Sequence, residues 1–231
     1  EVKAFIIYQR DNEQSVKGMN GCASSLAATG CDFTIEGFDA TTPQTLHQHL
    51  EEDFPGLTYT YPQQGEMKSE PTYGLTLTGY VAKSIEKKFA CTVSHARLWK
   101  KCCELNEEIM ILEHDAYFTR KFEPFEWEGF ILGLNDPRGA TRRAGYFHEQ
   151  VSSKDGVQDV PWIDNEHVPQ GLAGNSAYLI KPFGAAWLLG KLDELGAWPN
   201  DALMCKQICP WLKVVYPYYT SVQGMESFTT R

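Results

Sequence analysis

The stretch Met110-Ile111-Leu112-Glu113-His114-Asp115-Ala116-Tyr117-Phe118 joins a short apolar run to two carboxylates spaced one residue apart. Ile109 to Leu112 has the length of a buried strand in a parallel sheet, and such sheets bind ligands beyond the carboxyl ends of their strands. Because side chains alternate along an extended chain, we expect Glu113 and Asp115 on one side and His114 on the other. Carboxylates suit Mg²⁺ or Mn²⁺, which keep part of their shell for substrate phosphates. The spacing alone fits a solvated strand end equally well.

Composition bounds the class of protein. The 231 residues include 42% hydrophobic and 22% charged residues, which is typical of a soluble globular protein and predicts one compact domain. The net charge of −9 argues against binding along a nucleic-acid backbone. The longest apolar stretches are too short to cross a bilayer, and no targeting segment is evident. We therefore expect a cytoplasmic protein without a transmembrane segment.

The cysteines favour a reducing compartment. Their number is odd, at seven, and Cys102 and Cys103 are adjacent on a predicted helix, which is a poor arrangement for a disulfide framework. Cys205 and Cys209 have no second Cys or His pair at zinc-finger spacing, so they are interpreted as buried structural thiols.

Strand-like and helix-like segments alternate, which predicts an α/β fold with a mostly parallel central sheet flanked by helices. The predicted strands are 3–8, 32–38, 109–112, 129–134, 145–148, 177–180 and 211–216. The predicted helices are 15–28, 43–53, 92–106, 182–195 and a last one from 199 or 200 to 209. Residues 54–80 and 149–170 are predicted to be loops.

Several segments together resemble glycosyltransferase family 25, which includes lipooligosaccharide and collagen galactosyltransferases. Residues 90–99 read Ala-Cys-Thr-Val-Ser-His-Ala-Arg-Leu-Trp and are similar to the family's Gly-Cys-x-x-Ser-His-x-x-x-Trp. Residues 111–115, Ile-Leu-Glu-His-Asp, follow at the family's spacing, where the family has Leu-Glu-Asp-Asp. Residues 198–201, Trp-Pro-Asn-Asp, are similar to the family's Pro-x-Asp. The resemblance covers most of the chain.

The resemblance implies a GT-A-like single domain over residues 1–231, with a nucleotide-sugar-binding half (1–118) and an acceptor-side half (119–231). It also implies inverting, Mn²⁺- or Mg²⁺-dependent transfer of a hexose, galactose or glucose, from a UDP-sugar. The expected acceptor is a saccharide, a lipid-linked glycan or a protein hydroxyl group.

The same resemblance implies roles for individual residues. Asp115 is the expected metal ligand, with Glu113 beside it as a second ligand or one shell away on ribose or water. Asp201 is the expected catalytic base, which would deprotonate the acceptor hydroxyl. The expected donor-binding residues, besides Glu113, are Gln9, Arg10, Asp39, Ser94 and His95.

Each of these roles has a structural alternative. His95 and Ser94 also fit helix residues packed on their neighbours, Asp39 fits a turn before a helix cap, and Asp201 fits the first turn of a helix through the helix dipole. His114 departs from the family's acid and removes one negative charge from the metal site. Residues 8–11 follow the family's Asn-Leu-Asp-Arg only loosely.

Two other functions compete with transfer. The first is a catalytically degenerate GT-A fold that binds nucleotide or glycan without turnover, and His114 is the observation that favours it. The second is another phosphate-handling enzyme such as a nucleotidyltransferase, but the sequence lacks a glycine-rich phosphate loop.

Overall fold

The structure is a computed structural model that describes residues 2–81, 84–139 and 143–225. Its strands are β1 (Lys3–Tyr8), β2 (Ile35–Asp39), β3 (Met67–Glu70), β4 (Leu75–Thr78), β5 (Ile109–Glu113), β6 (Ala116–Phe118), β7 (Ile131–Gly133), β8 (Gly156–Asp159), β9 (Ala177–Ile180), β10 (Leu212–Tyr216) and β11 (Thr220–Val222). Its helices are α1 (Glu13–Ala28), α2 (Leu46–Asp53), α3 (Ile85–Leu105), α4 (Ala144–Val151), α5 (Pro182–Leu195) and α6 (Asn200–Leu203).

The central sheet has seven strands in the order β2-β1-β5-β9-β7-β10-β8. β1 pairs in parallel with both β2 and β5, and β10 pairs in parallel with β7. β9 runs antiparallel between β5 and β7, and β8 is an antiparallel edge strand. Five of the seven strands therefore run in one direction, and the predicted α/β class with a mostly parallel sheet is confirmed.

Helices cover both faces of this sheet, which explains why β5 is apolar on both sides. Ile109 and Ile111 pack in a core cluster with residues of α3 and α5, including Trp99 and Leu188. Met110 and Leu112 point to the opposite face, where they pack with residues of α1 such as Cys22 and Leu26. Four consecutive buried residues thus serve two cores and hold the end of β5 in place.

Four predicted segments differ from the structure. Residues 145–148 lie in α4 and not in a strand, because Ala144, Phe147 and Val151 form a buried stripe at helical spacing. The predicted loop 54–80 contains the hairpin β3–β4, and the predicted loop 149–170 contains the end of α4 and β8. The last predicted helix ends at Leu203, since Met204 leaves the helical conformation.

Two helices begin elsewhere than predicted. α3 begins at Ile85, one helical turn or more before the predicted start, because the Ser84 side chain accepts a hydrogen bond from the Lys87 N–H and caps the helix. α2 begins at Leu46, because residues 43–45 form a turn closed by the Thr45 N–H bonded to the Thr42 carbonyl.

All seven cysteines are free thiols, and Cys205 and Cys209 are buried as predicted. Within the described part of the chain, no helix combines the length and the apolar character needed to span a membrane.

Candidate functional site

A cavity of about 370 Å³ opens where β1, β2 and β5 end. Its walls come from the segments that follow β1 and β2, from one face of α3 and from the turn after β5. The residues that line the cavity include Gln9, Asn12, Lys87, Cys91, Ser94, His95, Glu113, His114 and Asp115. The location agrees with the general rule that α/β sheets bind ligands at the carboxyl ends of parallel strands.

Glu113 is the last residue of β5, and its side chain is 30% exposed to the cavity. Its Oε1 accepts a hydrogen bond of 3.0 Å from Nε2 of His95, and the hydroxyl of Ser176 lies 3.5 Å from Oε2. Burial alone would raise the pKa of Glu113, but the interactions with His95, its hydrogen bond foremost, outweigh burial and lower it. Glu113 is therefore an ionised carboxylate of fixed orientation.

A chain of buried hydrogen bonds holds the imidazole that contacts Glu113. Nδ1 of His95 lies 2.8 Å from the hydroxyl of Tyr178, and that hydroxyl accepts a 3.0 Å hydrogen bond from the Trp99 indole N–H. His95 is 1% exposed, and its ring stacks on Tyr178. Since indole only donates, the Tyr178 proton is available to Nδ1, which leaves the Nε2 proton for Glu113. His95 thus positions Glu113.

Asp115 lies in the turn that joins β5 to β6. Its Oδ1 is buried and has no hydrogen-bond partner among the described residues. Burial, followed by the negative charge of Glu113, raises the pKa of Asp115 to about 7. A buried carboxylate oxygen without a donor is costly unless a proton or a cation binds it, and the two neighbouring carboxylates offer oxygen ligands that suit a hard divalent ion such as Mg²⁺ or Mn²⁺.

The turn that carries Asp115 is fixed from two sides. The Asp115 carbonyl accepts a 2.7 Å hydrogen bond from the Gln223 N–H, and the Gln223 amide donates to the carbonyls of Gly18 and Ala116. α1 approaches the turn so closely that a Cβ atom on Gly18 would lie 2.4 Å from the His114 carbonyl oxygen. Helix α1 and the C-terminal segment therefore set the position of Asp115.

The predicted side-chain alternation across residues 113–115 is wrong, because His114 and Asp115 form a turn and do not continue the strand. All three residues line the cavity as a result. Burial lowers the pKa of His114, and the negative charge of Glu113 partly opposes that shift. His114 adds no negative charge to the pair of carboxylates.

The predicted donor-binding residues fall into different places. Gln9 lines the cavity, and its N–H donates to the Ser15 hydroxyl. Ser94 is 1% exposed, and its hydroxyl accepts a 2.8 Å hydrogen bond from the Thr41 N–H while donating to the Ala90 carbonyl. Ser94 therefore ties the segment after β2 to α3 and shapes the wall of the cavity.

Arg10 and Asp39 lie outside the lining and pair with each other. Nη2 and Nε of Arg10 donate to the two Asp39 oxygens at 2.9 and 3.2 Å, and both side chains are more than half exposed. Arg97 Nη1 donates to the Asp39 carbonyl. The pair links the segment after β1 to the end of β2 at the protein surface.

Asp201 lies in a second cavity of about 270 Å³, in the first turn of α6. Tyr61 and Tyr80 form an aromatic wall of this cavity, and Arg143 and Asp164 pair across it at 2.6 Å. Asp201 is solvent-accessible but enclosed by the cleft, and burial together with the charge of Glu113 raises its pKa. Asp201, the base expected from the sequence, therefore lines a different cavity from the one that Glu113 lines.

A contact between α3 and α6 connects the walls around the two sites. Cys91 lines the first cavity, and its Sγ lies 3.8 Å from Oδ1 of Asn200, the neighbour of Asp201. This contact connects the α3 wall of the first cavity to α6, the helix that carries Asp201.

The sequence reasoning missed Lys87, Cys91, Tyr178 and Ser176 as parts of the site. Lys87 is exposed and is the only lysine or arginine among the described residues that line the first cavity. Lys87, Cys91, His95 and Trp99 repeat every four residues along α3, which places them on one helix face. That spacing was the signal available in the sequence.

A comparison with protein-family models gives a match over part of the chain. Residues 22–128, just under half of the chain, match the model of glycosyltransferase family 25 (LPS biosynthesis protein). The match runs from the second half of α1 to the segment after β6 and includes Ser94, His95, Glu113 and Asp115. The match confirms the family resemblance identified from the sequence and supports the interpretation of the chain as a glycosyltransferase. No curated protein sequence matches the chain.

Solved structures give remote matches. The apo structure of the bifunctional glycosyltransferase WbbM is 9% identical, with 91% of this chain and 38% of WbbM covered and a TM-score of 0.44. An active-site mutant of LgtC is 8% identical, with 96% and 88% covered and a TM-score of 0.46. Apo mouse xyloside xylosyltransferase 1 is 11% identical, with 91% and 83% covered and a TM-score of 0.41. The chain thus spans 38% of the length of WbbM.

Proposed function

We propose that this chain, a glycosyltransferase by its match to family 25, moves a hexose, galactose or glucose, from a UDP-sugar to a saccharide, a lipid-linked glycan or a protein hydroxyl group. Transfer depends on a divalent cation and inverts the anomeric centre. The observation that carries the proposal is the buried, unpartnered oxygen of Asp115 beside ionised Glu113 in a cavity at the end of β5.

Asp115 and Glu113 are the residues that would hold the cation, with Mn²⁺ or Mg²⁺ as the ions that suit carboxylate oxygens. When bound, the cation supplies Lewis-acid stabilisation of the charge that develops on the diphosphate as the glycosidic bond breaks. The hydrogen bond from His95 keeps Glu113 ionised and oriented toward the cavity. The charge of the pair is −2 when Asp115 is also ionised, and His114 contributes no further acid.

The rest of the first cavity suits the nucleotide and its sugar. Its volume of about 370 Å³ falls within the usual range for small-molecule sites. Lys87 offers a cation to the diphosphate, while Gln9 and Asn12 offer amides near the start of α1. We assign the donor to the half formed by residues 1–118, as a GT-A-like arrangement requires, and treat Arg10 and Asp39 as a surface pair that links the segment after β1 to the end of β2.

The acceptor belongs beside Asp201, in the half formed by residues 119–231. The raised pKa of Asp201 makes its carboxylate a stronger base than a solvated aspartate, which suits removal of a proton from an acceptor hydroxyl. The hydroxyl oxygen then bonds to the anomeric carbon as the bond to the diphosphate breaks on the opposite side. Tyr61 and Tyr80 provide an aromatic wall on which a sugar ring can stack.

A second candidate is a degenerate GT-A-like protein that binds nucleotide or glycan without turnover. His114, where the family has an acid, is the observation that favours it. Under this alternative UDP binds in the first cavity, but no donor is consumed with any acceptor or metal. The seven free thiols support a reducing, cytoplasmic location for either candidate.

The experiment that tests the proposal is release of UDP from a panel of UDP-sugars with Mn²⁺, Mg²⁺ or EDTA, with and without saccharide acceptors. The test variant is Asp115→Asn, and the matched control is Asp155→Asn, which changes an exposed aspartate in the loop before β8. We expect one donor to turn over only with a metal, to fail in Asp115→Asn and to continue in Asp155→Asn. UDP binding without turnover of any donor would favour the degenerate candidate.

A further inference from the structure

A second group of ligand atoms lies in the first cavity beside the carboxylate pair. Cys91 Sγ, one imidazole nitrogen of His95 and one carboxylate oxygen of Glu113 all lie within 4.8 Å of one another. Cys91 and His95 are four residues apart on α3 and so share one helix face, and Glu113 meets them from the end of β5. Helix α3 and strand β5 therefore bring a thiol, an imidazole and a carboxylate close together.

The surroundings of His95 are those of a metal-binding histidine. Metal-bound imidazoles usually donate the N–H of their second nitrogen in a hydrogen bond that fixes the ring, and the Tyr178 hydroxyl lies 2.8 Å from Nδ1, where it can accept that bond once a metal occupies Nε2. Trp99 in turn holds the Tyr178 hydroxyl from within the buried core. Nε2 is thereby directed at Glu113 and at the cavity, with its orientation set before any ligand arrives.

The donor set differs in kind from the carboxylates that suit Mn²⁺ or Mg²⁺. A thiolate, an imidazole and a carboxylate are the ligands that zinc takes in three-ligand sites with an open fourth position. The Nε2–Oε1 separation of 3.0 Å is close to the spacing of two ligands around one tetrahedral zinc ion. The open position would face the cavity that Cys91 lines.

We propose that Cys91, His95 and Glu113 form a thiophilic cation site that binds Zn²⁺, and that zinc there blocks the donor cavity. On binding, the thiol of Cys91 releases its proton to solvent, the His95 proton moves through solvent from Nε2 to Nδ1, where the Tyr178 hydroxyl accepts it in a hydrogen bond, and zinc binds the freed Nε2 between His95 and Glu113. Glu113 is then withdrawn from the pair it forms with Asp115. The inhibitory part of the inference rests on the proposed transferase function, whereas the binding site itself does not.

Cobalt(II) is the probe for the site, because thiolate ligation gives Co²⁺ a charge-transfer absorption that oxygen and nitrogen ligands do not give. The test variant is Cys91→Ser, and the matched control is Cys103→Ser, which changes a half-buried thiol on the same helix. We expect the natural chain and Cys103→Ser to show the band with one equivalent of Co²⁺, and Zn²⁺ to remove it. We expect Cys91→Ser to lose the band and to bind Zn²⁺ at least about tenfold more weakly.

Circular dichroism and thermal unfolding establish that each variant is folded, and Cys91→Ala replaces Cys91→Ser if the serine variant is not. A band of equal strength in the natural chain and in the folded Cys91 variant would overturn the site, as would absence of a band in the natural chain.

Inhibition is measured separately, as the Zn²⁺ concentration that halves the Mn²⁺-dependent rate of each protein relative to its own zinc-free rate. We expect this concentration to rise at least about tenfold in the Cys91 variant and to stay unchanged in Cys103→Ser. Equal sensitivity of all three proteins would overturn the inhibitory role. Zinc binding at Cys91 without turnover of any donor would instead refute the transferase function and leave the site standing.

Discussion

Gly18 offers a sharp test of how the turn with Asp115 is positioned. A Cβ atom at this buried position of α1 would lie 2.4 Å from the His114 carbonyl oxygen and 2.8 Å from the Met225 sulfur. Helix propensity favours alanine over glycine by about 0.5–1 kcal/mol, but overpacking against a backbone atom that cannot rotate away costs about 1–3 kcal/mol. We therefore expect Gly18→Ala to lower the free energy of unfolding by about 1–2 kcal/mol.

The matched control is Gly190→Ala, at a position of α5 where an added Cβ meets nothing within 4 Å. Since no clash opposes the higher helix propensity of alanine there, we expect urea unfolding to show a free energy of unfolding about 0.5–1 kcal/mol higher for this variant. Because the clash displaces the turn that carries Asp115, Gly18→Ala should also weaken Mn²⁺-dependent UDP binding, while Gly190→Ala should leave it unchanged. A Gly18→Ala protein as stable as Gly190→Ala would refute the close approach of α1 to the site.

Three further predictions concern single side chains. Because the folded pKa of Asp115 is raised to about 7, the natural chain loses folding stability as pH rises from about 4 to about 7, whereas Asp115→Asn does not. In metal-free buffer, the free energy of unfolding of Asp115→Asn minus that of the natural chain should therefore be about 2–3 kcal/mol larger at pH 8 than at pH 5. Urea unfolding of both proteins at both pH values measures this difference, and a difference that does not change with pH would contradict the prediction. Tyr178→Phe removes the hydroxyl shared by His95 and Trp99 and should cost about 1–3 kcal/mol, so an unchanged melting temperature would count against that buried network. Asp201→Asn should lower kcat about a hundredfold or more with UDP affinity unchanged in calorimetry, and an equal loss of UDP affinity would place Asp201 on the donor side instead.

The sequence was sufficient for the part of the site that depends on strand geometry. The apolar run of β5 predicted a buried strand, because a strand covered on both faces needs apolar side chains at consecutive positions. The carboxylates at its end then had to lie at the ligand-binding edge of the sheet. Their side-chain directions could not be predicted, because the turn at His114 depends on contacts with Gly18 and Gln223, which are distant in sequence.

Misplaced segments have a similar origin. Residues 145–148 are too few to distinguish period two from period 3.6, and only the partners of Phe147 and Val151 in the core select the helix. The hairpin β3–β4 has exposed residues along most of β3, so it lacks an apolar pattern that a sequence reading could detect. Both errors show where tertiary contacts override short local signals.

Residue roles were harder to predict than residue positions. Ser94 was expected to contact the donor, yet its hydroxyl is occupied by Thr41 and Ala90, partners that no spacing in the sequence reveals. Arg10 and Asp39 were both expected at the nucleotide, and the structure shows them paired with each other outside the lining of the first cavity. Lys87, by contrast, lies four residues before Cys91 on the face that also carries His95, so helical periodicity alone could have identified it.

The central claim is that the cavity beside Glu113 and Asp115 holds the diphosphate of the donor through a divalent cation. Crystals grown with Mn²⁺ and UDP, measured by anomalous diffraction, test this most directly. We expect an anomalous peak within about 2.0–2.3 Å of an Asp115 oxygen, with UDP density in the same cavity near Lys87. Ordered UDP in another part of the protein, or Mn²⁺ bound away from Asp115 while UDP is present, would contradict it.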